Sequence, residues 1–176
     1  PSAVVGTSIM SSASLVALAN GVAGHADDFD DTQLAQTPDR IYGLLTHPTV
    51  PALASALAVG QEVGANGKDF LTAFCAGFEV ECKIAEAMNP DHYIKGFHTT
   101  ATIGVFASAM AAAKLYRLSL EQTRFALGIA ASKSAGLRVN FGTMTKPYHA
   151  GAAAENGIVA AQLARLGYQS DPNALD

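Results

Sequence analysis

No stretch of this chain alternates apolar and polar residues with period two for long enough to demand a strand, whereas apolar residues at helical spacing recur from end to end. Residues 3–24 are Ala, Val, Leu and Ile interspersed with Ser and Gly, the pattern of a helix packed on several sides. A helix over 51–64 closes at the turn Ala65-Asn66-Gly67, and Lys68 or Asp69 opens the next, which runs to about Met88. In that helix Phe70, Phe74, Phe78 and Ile84 mark the inner face, with Glu79, Glu81, Lys83 and Glu86 mostly between them. An Ala-rich helix starts at His98 or Thr99 and reaches about Tyr116. Ser119 with Gln122 has the form of a capping box for a helix ending near Ser134. Pro147 occupies a first-turn position of a last helix that ends near Gly167, before a turn-like tail. Three loops separate these elements, over 33–46 (with Pro38, Asp39 and Gly43), 89–97 and 136–145. The expected fold is all-α, a single-domain bundle of six or seven helices built from helical hairpins.

Composition narrows the picture. The 176 residues are 49% hydrophobic and 15% charged, with 7% aromatic and no Trp, so one domain with a core of small residues is expected. A net charge of −4 gives no positive field for a polyanion, which argues against nucleic acid. Every apolar run is broken before it could cross a bilayer, so no membrane partner is expected. Cys75 and Cys82, if helical, lie roughly 10 Å apart, too far for a disulfide. They read as buried thiols in a reducing, cytoplasmic setting, and two cysteines cannot supply the usual ligands of an iron–sulfur cluster. The opening residues lack a basic secretory region and a starting Met, so a fragment or processed product is expected.

The unusual polar residues gather in the three loops and at the helix ends beside them, where function on a rigid scaffold tends to sit. His25, Asp27, Asp28, Asp30, Asp31 and Thr32 form the first cluster. It reads either as a solvated helix end or as a pocket wall, with Asp28 and Thr32 spaced i,i+4 on one helical face. His and Asp at such spacing also ligate divalent ions, but the pattern matches no zinc motif and lacks the glycine of hard-cation loops, so no metal is expected. His47 precedes Pro48, which takes it out of any helix and leaves it a surface, capping or catalytic residue. His98 stands at a helix start, where the positive dipole end favours a neutral imidazole, either as cap or as base. Lys146 also stands at a helix start, where a cation is disfavoured unless it serves a bound anion. Thr143, Thr145, Tyr148 and the helix amides could serve the same anion. His149, one turn in, is a further candidate or a core-edge residue, and Arg138 either clamps a carboxylate or is solvated.

The segments NGVAGHADDFDDT, THPT, KGFHTTATIG and TMTKPYHAGAAAENG, in that order, resemble the helical domain of the MmgE/PrpD family over nearly the whole chain. That family includes 2-methylcitrate dehydratase, cis-aconitate decarboxylase and an iminodisuccinate epimerase. The resemblance implies a cofactor-independent enzyme acting on a small di- or tricarboxylate, with dehydration of a 2-methylcitrate-like substrate the expected reaction and decarboxylation or epimerisation its relatives. It implies catalytic roles for Asp28, His47, His98 and Lys146, with Thr32 also lining the pocket. Thr145, His149 and Arg138 join Thr32 as expected substrate-binding residues. Lys146 would hold a carboxylate and stabilise developing charge, the two histidines would exchange protons, and Asp28 would orient one imidazole. The loop between Thr32 and His47 is longer than in the decarboxylase-like members, which leans away from that activity.

The family's full-length proteins are over twice this length and carry a smaller α/β lid domain, so this chain is expected to be part of a two-domain enzyme. Small-residue helix surfaces suit close contacts, and a homodimer is expected. The rival readings are a non-catalytic dimerisation module and a metal-dependent hydrolase.

Overall fold

The structure is a computed structural model that describes residues 1–34 and 46–175. The loop expected over 33–46, with Pro38, Asp39 and Gly43, lies mostly outside the described residues. Among the described residues the chain is mainly α, with seven helices: α1 (Ala13–His25), α2 (Thr49–Val63), α3 (Gly67–Met88), α4 (Asp91–Ile94), α5 (Thr99–Leu115), α6 (Leu120–Ser132) and α7 (Thr145–Arg165). A two-stranded antiparallel ribbon, β1 (Ser2–Ala3) and β2 (Met10–Ser11), precedes them.

That ribbon departs from the expected helix over 3–24. Gly6 takes a left-handed φ of 77°, Val4 N–H donates back to Ile9 O, and Ser12 holds extended backbone as the N-cap of α1, so the helix starts ten residues later than Ala3. The Ser2 hydroxyl ties the ribbon to Ala58 O of α2 at 2.6 Å. Elsewhere the helix boundaries follow local chemistry. Asn66 caps α3 by accepting from Asp69 N–H, and Ser119 and Gln122 form the complete capping box of α6. Gly64, at φ 65°, ends α2. Pro51 and Pro147 each sit third in their helices rather than first, still within the turn whose N–H groups have no intrahelical acceptor. The 89–97 loop contains α4, and the 136–145 loop contains a 3-10 turn over Arg138–Asn140.

Helix α5 is apolar all round and runs through the middle of the bundle, with every residue buried except Met110 and Lys114. It packs on α7, α3, α2 and α6, while α1 packs on α7 and α2. Alanine supplies most of the core, with Val16, Val59, Ile103, Val105 and Ile158 filling it. The helices approach so closely that a Cβ on Gly21 would lie 2.7 Å from Gly151 Cα, and one on Gly157 would lie 2.4 Å from Ser108 Cβ. Buried hydroxyls at these contacts are satisfied, Ser108 donating to Ala154 O at 2.6 Å and Ser55 to Ser108 O at 3.0 Å.

Two expectations are corrected here. Cys75 is exposed and only Cys82 is buried, although both are free thiols. Glu81, assigned by spacing to the polar face of α3, is completely buried. No helix of the described residues is long and apolar enough to cross a membrane.

Candidate active site

The C-terminal end of α1 and the N-terminal ends of α2, α5 and α7 converge at one end of the bundle. Each helix delivers one element of the site there: His25 and the turn after it from α1, His47 before α2, His98 as the N-cap of α5, and Lys146 in the first turn of α7. The positive dipole ends of three helices therefore gather at the region where a small anion would sit.

Asp28 does not continue α1. Its backbone is left-handed at φ 59°, a conformation Asp tolerates better than most residues, so the expected i,i+4 helical pairing with Thr32 does not exist. The turn instead aims the Asp28 carboxylate at Lys146, whose Nζ lies 2.6 Å from Oδ2, while Oδ1 lies 3.7 Å from His47 Nε2 and 4.0 Å from His25 Nε2. The hydrogen bond from Lys146 is the main reason the Asp28 carboxyl is held below its usual range.

Behind Asp28, the buried His25 places Nδ1 2.9 Å from both oxygens of Asp30. Asp30 Oδ2 also stands 3.6 Å from His47 Nδ1, and the rings of His25 and His47 meet edge to face with centroids 4.8 Å apart. The His47 backbone N–H donates to Thr100 Oγ1 at 3.1 Å. Burial pushes the His47 pKa down, opposed by the charge of Asp30 and Asp28. His98 is 3% exposed, packs edge-on against Phe141, and places Nδ1 3.0 Å from His149 Nδ1. Burial, followed by the neighbouring His149, drives its pKa down to about 3, so His98 is neutral near pH 7.

Asp28, Thr32, Thr46, His47, His98 and Lys146 line a cavity of about 310 Å³, together with Tyr93, Thr99, Thr100 and Phe141. Asp28 and Lys146 also border an adjoining cleft of about 710 Å³ that holds His25 and Asp27, so their ion pair stands between the two spaces. Of the residues singled out from sequence, Asp28, Thr32, His47, His98 and Lys146 are thus brought to one cavity. The remaining expected substrate-binding residues, Arg138, Thr145 and His149, are not among its lining residues. Arg138 donates to Tyr93 O at 2.7 Å and stacks 3.7 Å over the Tyr93 ring, one layer behind the wall. Thr145 and His149 line a separate cavity on the far side of His98. Asp30, Thr46, Thr100, Tyr93 and Phe141 were not assigned from sequence. Asp30 was visible there as one of several acidic residues, but only the turn after α1 distinguishes it from its neighbours.

His25, Asp28, Asp30 and His47 bring ligand-type atoms within 4.8 Å of one another. Three of these four are already engaged, Asp28 with the Lys146 ammonium and His25 with both oxygens of Asp30, so a cation would have to displace Lys146 from Asp28. The arrangement fits proton transfer better than metal holding. A wider cleft of about 570 Å³ at the other end of α5, lined by Lys114, Arg117 and Arg165, contains none of these groups.

A helical bundle that gathers imidazoles, a carboxylate and a partly buried lysine around a small cavity has the groups that acid–base chemistry needs. The whole chain, residues 1–176, matches the MmgE/PrpD N-terminal domain, and the chain belongs to that family. It is 40% identical over 161 residues to the cis-aconitate decarboxylase of Homo sapiens and 39% identical over 165 residues to that of Mus musculus, each match covering 91% of this chain. The cis-aconitate decarboxylase of Aspergillus terreus is 34% identical over 131 residues, 72% of this chain and 27% of its own length. The chain spans 32% of the length of the human and mouse relatives.

Proposed function

We propose that this domain forms the acid–base half of a lyase that acts on a small di- or tricarboxylate, with release of carbon dioxide the favoured reaction. The observation that carries the reading is the Lys146–Asp28 pair, 2.6 Å apart on the wall of a cavity that also holds His47 and His98. A substrate carboxylate can share Lys146 with Asp28 near the positive dipole ends of α5 and α7, which fixes the neighbouring carbon beside the imidazoles. Loss of carbon dioxide leaves an electron pair on that carbon. Lys146 stabilises the charge as it spreads onto a remaining carboxylate, and a neutral imidazole supplies the proton that completes the product.

The curated relatives at 34–40% identity are named cis-aconitate decarboxylases, and this moves carbon–carbon cleavage ahead of the dehydration expected from sequence. Dehydration stays as the second reading because the cavity offers two imidazoles. Elimination of water needs a base at carbon and an acid at the departing hydroxyl, and His47 and His98 fit those two places. Asp28 and Asp30 flank His47 at 3.7 and 3.6 Å, and their charge favours its protonated form in either reaction. A cytoplasmic homodimer is the setting we propose, and the two free thiols suit a reducing compartment.

The deciding experiment incubates this chain, and any longer protein that carries it, with cis-aconitate and separately with a 2-hydroxytricarboxylate. Mass spectrometry and carbon dioxide capture then identify the products. Formation of carbon dioxide and a five-carbon dicarboxylate from cis-aconitate supports the first reading, and loss of water from the hydroxy acid alone supports the second. Inertness of the longer protein toward both substrates contradicts the proposal.

A further inference from the structure

His149 does not face the cavity that His98 lines. Its ring lines a second cavity of about 340 Å³, with Lys133, Asn140, Thr145, Tyr148 and Asn156, and His98 is absent from that lining. The two buried rings meet only through their Nδ1 atoms, 3.0 Å apart. Two neutral imidazoles at that distance share one proton, so one Nδ1 donates, the other accepts, and the rings hold opposite tautomers. Neither Nε2 atom has a bond within the described residues, and neither is among the buried unpartnered atoms. Each is therefore free to meet the contents of the cavity its own ring lines.

We propose that His149 is a proton-relay residue that exchanges a proton with His98 through the Nδ1–Nδ1 contact and with solvent in the second cavity through its own Nε2. This rests on the reading of His98 as an acid–base group. When His98 gives its Nε2 proton to the substrate carbon, it takes a proton at Nδ1 from His149 Nδ1. His149 then takes one at Nε2 from solvent. One solvent proton is consumed, one C–H bond forms, and both rings have exchanged tautomers without either becoming charged. After product release, a proton enters at His98 Nε2 and another leaves from His149 Nε2, which restores the start.

The surroundings disfavour a charged His98. His25, His47, His149 and Lys146 are the ionisable groups acting on His98; all are cationic or can become so, and Phe141 closes another side. Burial among them holds the His98 pKa at about 3, so the His98 imidazolium is a minor species near neutral pH. An imidazolate is closed by chemistry. Passing the proton on to His149 removes the need for either ion. The expectation that His149 binds substrate predicts a different kinetic signature.

The test replaces His149 with Ala in the active protein. The relay predicts that kcat falls about 100-fold while KM stays within about twofold. Added imidazole, small enough for the second cavity, should restore activity saturably, and a series of substituted imidazoles should rescue in order of basicity. Rescue also shows that the variant folds. A rise in KM with kcat unchanged would make His149 a substrate contact and overturn the relay, as would unchanged kinetics or a kcat loss that no imidazole rescues. A second measurement does not depend on turnover. In the parent chain with ¹⁵N-labelled histidine, the relay requires scalar coupling between the Nδ1 nuclei of His98 and His149 across one shared proton, and its absence overturns the proposal. If the coupling is present and no carboxylate is turned over, the functional reading fails and the proton-sharing contact stands.

Discussion

Lys146 of α7 reaches across to Asp28, in the turn after α1, and places its ammonium 2.6 Å from the carboxylate. The two side chains differ in exposure, 17% for Lys146 and 51% for Asp28, so water reaches Asp28 more freely than Lys146. A half-open pair of this kind adds little to folding, yet it holds a cation where an incoming carboxylate can share it. The left-handed Asp28 backbone is what aims the carboxylate there.

Replacing Asp28 with Asn keeps the shape and removes the charge. Stability measured by urea unfolding should change by less than about 1 kcal/mol, because the pair is solvent-screened. Turnover should fall at least tenfold, because Lys146 and His47 lose the charge that positions them. A stability loss of several kcal/mol would make the pair structural instead.

Acid should destabilise the fold through buried imidazole. The folded pKa of His98 is depressed from 6.5 to about 3, so between those values the unfolded chain binds a proton that the folded chain refuses. Stability is retained above about pH 6.5 and lost as pH falls toward 3. His47, His92 and His149 shift the same way and steepen the loss. Thermal melts of His98→Asn against the parent should show a shallower decline over this window, and parallel profiles would contradict the assignment.

Glu81 predicts the opposite slope. It is completely buried, accepts from Thr46 Oγ1, and has its pKa raised well above 4.5, chiefly by burial. The folded chain therefore keeps a proton that the unfolded chain releases, and Glu81 costs stability as pH rises above 4.5. Glu81→Gln removes that titration, so the Tm difference between variant and parent should move in the variant's favour from pH 5 to pH 8. A pH-independent difference would show that Glu81 does not titrate across folding.

Packing between α1 and α7 sets the site geometry. A methyl at Gly21 would sit 2.7 Å from Gly151 Cα and 3.1 Å from its N, both backbone atoms that cannot rotate away. Gly21→Ala should destabilise by about 1–3 kcal/mol or more in urea unfolding and, by spreading the helices that carry Asp28 and Lys146, should also reduce turnover. A variant as stable and active as the parent would mean the helices separate without cost.

Much of this was legible in the chain. The capping box at Ser119 and the apolar run of α5 fixed helices from local chemistry alone, and the motifs around Asp28, His47, His98 and Lys146 fall on helix ends that meet. Three things were not readable. The Gly6 turn converted an apparently helical stretch into a ribbon, because Ala, Val and Ser there suit either state. Glu81 looked like a surface residue because one buried acid among exposed ones leaves helical spacing intact, and its partner Thr46 lies on another segment. The orientation of His149 toward a second cavity, and of Arg138 onto Tyr93, depends on side-chain packing that spacing does not encode.

The most direct measurement compares kcat for cis-aconitate decarboxylation by the parent protein with that of Lys146→Met and His98→Asn, each shown to be folded by circular dichroism. The account predicts that each substitution lowers kcat by about 100-fold or more. Near-parental turnover in both folded variants would contradict it.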